Sequence, residues 1–264
     1  MSTTGREWDA ETYQRVSEPQ LAWGRTVLAR LDLAGHETVL DAGCGTGRLT
    51  AELLDRLPGG RVIAMDLSGN MLSVARRELS PRSHGRVDYV QAHLLDRCIA
   101  PVADVIFSTA TFHWVLDHPR LFRELRAMLV PGGRLMAQCG GAGNLARTHA
   151  RASALLGTAP FARFADAWKN PWEFAGADTT RARLRDAGFV DIETSVEAAP
   201  TPFENGEAFA EFGAAVVLRP YLALFPDPAI RGAYMEELTR QFATDETPFV
   251  FDYRRLNISA RHPC

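Results

Sequence analysis

Apolar and polar positions change period several times along this chain, and the changes mark out its elements. Residues 1–19 are polar with isolated aromatics, Trp8 and Tyr13. Pro19 then opens a helical pattern, Leu21, Val27, Leu28 and Leu31, which ends near Gly35. A short apolar run closing on Val39 and Leu40 reads as a buried strand, and Leu49, Leu53 and Leu54 resume at helical spacing. Strand and helix then alternate. Arg61–Asp66 is a strand, and Met71, Leu72, Ala75 and Leu79 form a helix that Pro81 should stop. Val87–Ala92 and Ala103–Thr109 are strands, and Pro119–Val130 is a helix. A Pro131-Gly132-Gly133 turn leads into a strand at Arg134–Gln138. That alternation predicts an α/β fold with a doubly wound, mostly parallel sheet.

From Gly140 the alternation stops. Residues 144–178 hold an alanine-rich helical pattern and an aromatic cluster, Phe161, Phe164, Trp168, Trp172 and Phe174, too large and apolar for a simple connection. This stretch is expected to be a helical cap. A helix over 179–188 follows, then a sixth strand in which Val190, Ile192, Thr194 and Val196 alternate. Residues 204–244 read as two helices with Pro220, Pro226 and Pro228 between them. Phe249, Phe251, Tyr253, Leu256 and Ile258 give one final, seventh strand. The expected organisation is therefore a lid at 1–35, a Rossmann-like core at 36–143, the cap at 144–178, and sheet-completing strands and helices at 179–264.

Composition narrows the class. The chain has 264 residues, 46% hydrophobic and 23% charged, ordinary for a globular protein. A net charge of −3 gives no general attraction to nucleic acid or an anionic membrane. No apolar run reaches 18 residues and the N-terminus is polar, so neither a transmembrane helix nor a signal peptide is expected. Cys44, Cys98, Cys139 and Cys264 have no metal-type spacing and read as reduced thiols of a cytoplasmic protein, with no metal site.

The candidate chemistry lies in Asp41-Ala42-Gly43-Cys44-Gly45-Thr46-Gly47, between a strand and a helix. Alternate glycines let a ligand approach the main chain, and the helix N-terminus offers free N–H groups. A dinucleotide fingerprint would need glycine at 48, where Arg48 stands, so a nicotinamide cofactor is disfavoured. Asp66 ends the next strand a little over twenty residues past Gly43, where a carboxylate can accept both ribose hydroxyls, or else act as a helix N-terminal acid. After the fourth strand, Phe112-His113-Trp114 faces the crevice where such sheets bind ligands.

The Asp-x-Gly-x-Gly-x-Gly turn, the acid at 66 and Leu129-x-Pro131-Gly132-Gly133 before a strand together resemble the class I S-adenosylmethionine (SAM) methyltransferases. In detail, Phe112-His113-Trp114-Val115-Leu116-Asp117-His118 and Leu218-Arg219-Pro220-Tyr221 resemble the trans-aconitate methyltransferase group, although His113 stands where that group carries Gln. The resemblance implies SAM as cofactor and a seven-stranded sheet. It implies cofactor contacts at Gly43, Cys44, Gly45, Gly47, Asp66, Ser108 and Thr109. Leu67, Met71, Ala92, His93 and Leu94 would surround the adenine, with His93 replacing the family's usual acid. Tyr13, Gln20 and Arg25, on the lid, are candidates for the amino-acid tail, or else belong to a solvated helix.

His113 is the leading catalytic or substrate-orienting residue; the alternative is a buried histidine satisfied by a backbone carbonyl. Trp114, Gln138, Trp168, Trp172, Arg219 and Tyr221 are the expected substrate contacts, with Arg219 placed to clamp a carboxylate. The expected reaction is methyl transfer to a small-molecule acceptor, a carboxylate or hydroxyl oxygen first. The alternative is a SAM enzyme that methylates carbon or nitrogen or carries out a cyclisation. Expected partners are a small molecule only, without nucleic acid or membrane, in a monomer or homodimer.

Overall fold

A computed structural model describes residues 7–96 and 99–264; Cys98 of the cysteine reading lies outside them. Seven strands form one sheet in the order β3-β2-β1-β4-β5-β9-β6, with β1 at Thr38–Ala42, β2 at Arg61–Asp66, β3 at Val87–Gln91, β4 at Ala103–Thr109, β5 at Leu129–Gly140, β6 at Val190–Ala198 and β9 at Arg254–Arg261. The first five run parallel, and β9 inserts antiparallel between β5 and β6. β1 and β2 are continuous apolar runs because both faces are covered. Val39, Val62, Val105 and Phe107 pack under Val27, Leu28, Leu53, Leu54, Leu72 and Leu79. Those six residues belong to α2 (Glu18–Ala29), α3 (Arg48–Asp55) and α4 (Gly69–Ser83). Leu40, Ile63, Ile106 and Leu135 meet the other layer, whose Leu121, Phe122, Leu125 and Leu184 come from α5 (His118–Met128) and α7 (Ala177–Asp186).

The chain winds outward from β1 through β2 to β3, then returns to β4 on the other side of β1. The crevice at this switch point opens above the carboxyl ends of β1 and β4. The segment read as a lid is α2 and the short α1 (Ala10–Val16), whose N-cap Asp9 accepts the Thr12 amide; they border the crevice through Gln20 and Tyr13. The polar stretch before Pro19 is thus partly helical.

Four further expectations are corrected. Pro81 does not stop α4: in the last turn it forfeits only one hydrogen bond, and the exit comes at His84 and Gly85, with φ of 49° and 77°. α5 ends at Met128, and β5 takes in the Pro131-Gly132-Gly133 stretch, with a register shift in its pairing between Ala103 and Val105. The single final strand is two: β8 (Val250–Phe251) pairs only with β7 (Thr201–Pro202), and the sheet strand begins at Arg254. Finally, the cap extends beyond 144–178. α6 (Ala146–Leu156) and the 161–172 aromatics share one apolar cluster with α8 (Gly206–Phe212), a π-turn at Gly213–Val217, α9 (Arg219–Leu222) and α10 (Pro228–Ala243).

Candidate active site

Lid, sheet and cap enclose a cavity of about 600 Å³. The glycine turn forms its floor. Gly43, Gly45 and Gly47 have φ of 87°, 55° and 82°, the left-handed region that glycine adopts without strain. At Gly45 no atom stands within 4 Å of where a Cβ would be, so the turn presents bare backbone to open space. At Gly43 a Cβ would overlap the Thr111 side chain, and this close approach draws the β4 turn onto the β1 turn.

Asp66 faces this turn from the end of β2. One carboxylate oxygen accepts the Gly45 N–H and the other the Ser68 N–H, both at 2.9 Å. Each oxygen keeps acceptor capacity toward the cavity. Burial is the main influence on this carboxyl and raises its pKa, while the two backbone donors oppose that. Asp41, at the end of β1, is 2% exposed and accepts the Thr50 hydroxyl at 2.6 Å; burial raises its pKa to about 7. Open backbone at Gly45, a carboxylate with spare lone pairs one strand over, and the apolar Leu67 and Met71 beyond it fit a purine nucleoside.

β4 ends in a strained turn. Ala110 has φ 56°, and its N–H donates to the Gln138 carbonyl at 2.8 Å. Phe112–Trp114 then makes one 3₁₀ turn that carries His113 to the cavity. His113 is 9% exposed, and the Gly140 N–H donates to its Nδ1 at 3.2 Å. That bond requires the neutral tautomer protonated on Nε2. Burial first, then Arg255, His118 and His149, push the His113 pKa well below the ordinary value. The buried alternative anticipated a carbonyl partner; the observed partner is an amide, which reverses the ring's polarity toward the ligand.

The turn itself is fixed by groups that the sequence patterns did not reveal. His118 Nε2 donates to the Phe112 carbonyl at 3.1 Å, and its Nδ1 accepts from Arg183 at 3.2 Å. Arg183 also binds the Glu173 carboxylate at 2.8 Å, and the Glu173 amide donates to the His113 carbonyl at 2.9 Å. Gly140 is needed where it stands: a Cβ there would sit 2.7 Å from Phe174 Cε1. His118 alone could have been noticed, as a second histidine five residues after the first.

The cavity brings together Tyr13, Gln20, Gly43, Gly45, Asp66, Leu67, Met71, Ala92, His93, Leu94, Thr109, His113, Trp114, Trp172 and Arg219. At His93, Nδ1 already accepts the Leu95 N–H at 3.0 Å, so that nitrogen is not the anticipated acceptor for an adenine amine. Arg219 donates to the Glu7 carbonyl and lies 4.6 Å over the Trp8 ring, tying the lid to the cap as well as facing the cavity.

Other expected contacts lie outside the lining. Cys44 is buried in the core beneath the turn, with its thiol pKa raised by burial. Gly47 caps α3 and packs on Ala75 and Leu79. Ser108 donates to the Ala42 carbonyl at 2.6 Å, and Gln138 to Asn257 at 2.8 Å. Trp168 and Tyr221 stack on each other 3.9 Å apart inside the cap, where Tyr221 also bonds Ser153. Arg25 forms a surface ion pair with Glu52 at 2.8 Å. Apart from Gly47, which has no side chain, each of these side chains is engaged by other groups of the protein.

A methyltransferase domain model matches residues 40–137. The trans-aconitate 2-methyltransferase of Azoarcus sp. is 40% identical over 133 residues, which is 50% of each chain, so the chain spans about half the length of this relative. An uncharacterized methyltransferase of Schizosaccharomyces pombe is 32% identical over 192 residues, 69% of this chain and 70% of that one. A solved Bacillus halodurans structure described as a methyltransferase superimposes with a TM-score of 0.64 at 16% identity, covering 92% of this chain and 100% of that one. With the sheet order, the glycine turn and the acid after β2 in place, the chain belongs to the class I methyltransferases.

Proposed function

We propose that this protein transfers the methyl group of SAM to a carboxylate oxygen of a small organic acid, and that His113 orients the acceptor by donating a hydrogen bond. The observation that carries this reading is the Gly140 N–H on His113 Nδ1. With Nδ1 occupied, the neutral ring offers its ligand a donor and no lone pair. A phenol or alcohol would need that lone pair to lose its proton. A carboxylate arrives already ionised and needs only to be held. The partial match to trans-aconitate methyltransferases supports the same acceptor class.

SAM, when bound, supplies an electrophilic methyl on a sulfonium. The open backbone at Gly45 and the acceptor capacity of Asp66 suit its turn-proximal and ribose portions, with Leu67, Met71 and Leu94 about the adenine and Tyr13 and Gln20 closing from the lid. Tyr13 stays protonated as a donor, its pKa raised to about 12 by burial and by Asp66. Trp8, Trp114, Trp172 and Phe174 line the cavity with apolar rings that suit a water-poor acceptor site. Alignment of this kind can supply roughly 7–11 kcal/mol, so positioning is the main catalytic device.

The test is methyl transfer to a panel of di- and tricarboxylic acids and phenols of matched size. Carboxylic acids are expected to yield esters and phenols to yield nothing. His113→Phe should lower kcat/KM about 10–100-fold, the worth of one hydrogen bond to a charged group, with S-adenosylhomocysteine affinity little changed. His113→Gln, which keeps a donor, should retain more activity than His113→Phe. Phenol methylation that titrates with a basic His113 would overturn the assignment.

A further inference from the structure

Arg255 lies on β9, opposite Gly140 of β5 and Glu197 of β6. It is 2% exposed and lines the cavity. Its guanidinium stacks 4.4 Å over the Trp23 ring of α2 and 6.0 Å from that of Tyr253. Nε donates to Gln138 Oε1 at 3.3 Å, and Nη2 is buried without a partner. No carboxylate forms an ion pair with it among the described residues; the nearby Glu197 is exposed and accepts from Asn257 at 3.0 Å. The half-buried Arg151, by contrast, pairs with Asp245 at 2.9 Å. A guanidinium does not shed its proton to escape burial, so an unpaired one this deep carries a large desolvation cost that an anion would offset.

A second orphan lies close in the fold. Gln20 Oε1, on α2 one turn before Trp23, is buried without a partner and also borders the cavity. Tyr13, whose hydroxyl feels both the Asp66 and Arg255 charges, also lines the cavity. An unanswered cation and an unanswered acceptor together complement a carboxylate that carries an ammonium beside it.

We propose that Arg255 is the carboxylate-binding residue of the cavity, its guanidinium taking an anionic carboxylate from a bound ligand against the Trp23 ring. The proposal rests on the methyltransferase reading above. Two ligands present this chemistry, the amino-acid end of the cofactor and the organic acid acceptor. Gln20 favours the first, since its free oxygen can accept from an ammonium.

The experiment is calorimetric titration of wild type, Arg255→Met and Arg255→Lys with S-adenosylhomocysteine and with 5′-methylthioadenosine, which lacks the amino-acid end. Trans-aconitate is titrated separately as the probe acid. If the cofactor supplies the carboxylate, Arg255→Met weakens S-adenosylhomocysteine at least about 30-fold and leaves methylthioadenosine within about threefold, and Arg255→Lys recovers part of the loss. If the acceptor supplies it, the same loss falls on trans-aconitate alone. Arg255→Met should melt no lower than wild type without ligand, because the change removes an unpaired buried charge. Equal loss for both nucleosides, or no loss for any ligand, overturns the proposal. Wild-type protein that ignores both nucleosides contradicts the cofactor reading instead, and Arg255 is then judged on trans-aconitate alone.

Discussion

The two walls of the cavity are made of different material. On the wall formed by β1, β2 and their turns, backbone meets side chain and the polar groups answer one another. Asp66 takes the Gly45 and Ser68 amides, Asp41 takes the Thr50 hydroxyl, and Ser108 bonds the Ala42 carbonyl. On the opposite side, lid, last strand and cap contribute mostly side chains, and polar groups are left over. Arg255 Nη2 and Gln20 Oε1, both on residues that line the cavity, are buried without partners. Buried polar groups in folded proteins are normally hydrogen-bonded, so these two mark where a ligand's polar groups would answer. The first wall's polar groups are held in place before any ligand binds. The second keeps Arg255 and Gln20 for a ligand's own polar groups, the carboxylate site proposed above.

The largest effect should come from breaking the finished wall. Asp66→Ala removes the acceptors proposed for both ribose hydroxyls and frees the Gly45 and Ser68 amides. S-adenosylhomocysteine affinity should fall about 100-fold or more by calorimetry, from hydrogen bonds to a charged group worth about 1.5–3 kcal/mol each. Unchanged affinity would remove the ribose assignment.

A smaller effect comes from the cap just behind the unfinished wall. His149, on α6, lies 4.4 Å from the Trp172 ring and stacks on Phe174 and Tyr221, and burial lowers its pKa to about 4. A histidine depressed in the folded state contributes stability above its unfolded pKa near 6.5, and that stability is lost as pH falls toward 4. His149→Phe keeps the aromatic stack and removes two orphan nitrogens. The variant should be about 1 kcal/mol more stable at pH 7.5, with the gap widening as pH drops through 6.5 to 4.5 in thermal melts. A gap independent of pH would mean that His149 keeps an ordinary pKa.

The same division explains what could be read in advance. β1, β2 and β4 are largely buried apolar runs, and a turn as constrained as Gly43–Gly47 announces itself. Asp66 follows from the winding of such a sheet. The second wall hides because its residues come from distant stretches and its signals conflict with local rules. α1 has seven residues and only Ala10 buried, so no periodic stripe reveals it. Arg255 and Asn257 alternate with Leu256 and Ile258 and read as the solvent side of an edge strand. They are 2% and 5% exposed because β9 lies inside the sheet, between β5 and β6, and has both faces covered. Gly140, Glu173 and Arg183 act on the His113 turn through contacts that no spacing encodes.

The central claim is that the finished wall binds the cofactor's nucleoside before any acceptor arrives. Its most direct test is calorimetric titration of the wild-type protein with S-adenosylhomocysteine and no acceptor present. The account predicts one site per chain with a Kd on the order of micromolar, about −8 kcal/mol. No detectable heat or thermal stabilisation at roughly a hundred times that concentration would contradict it.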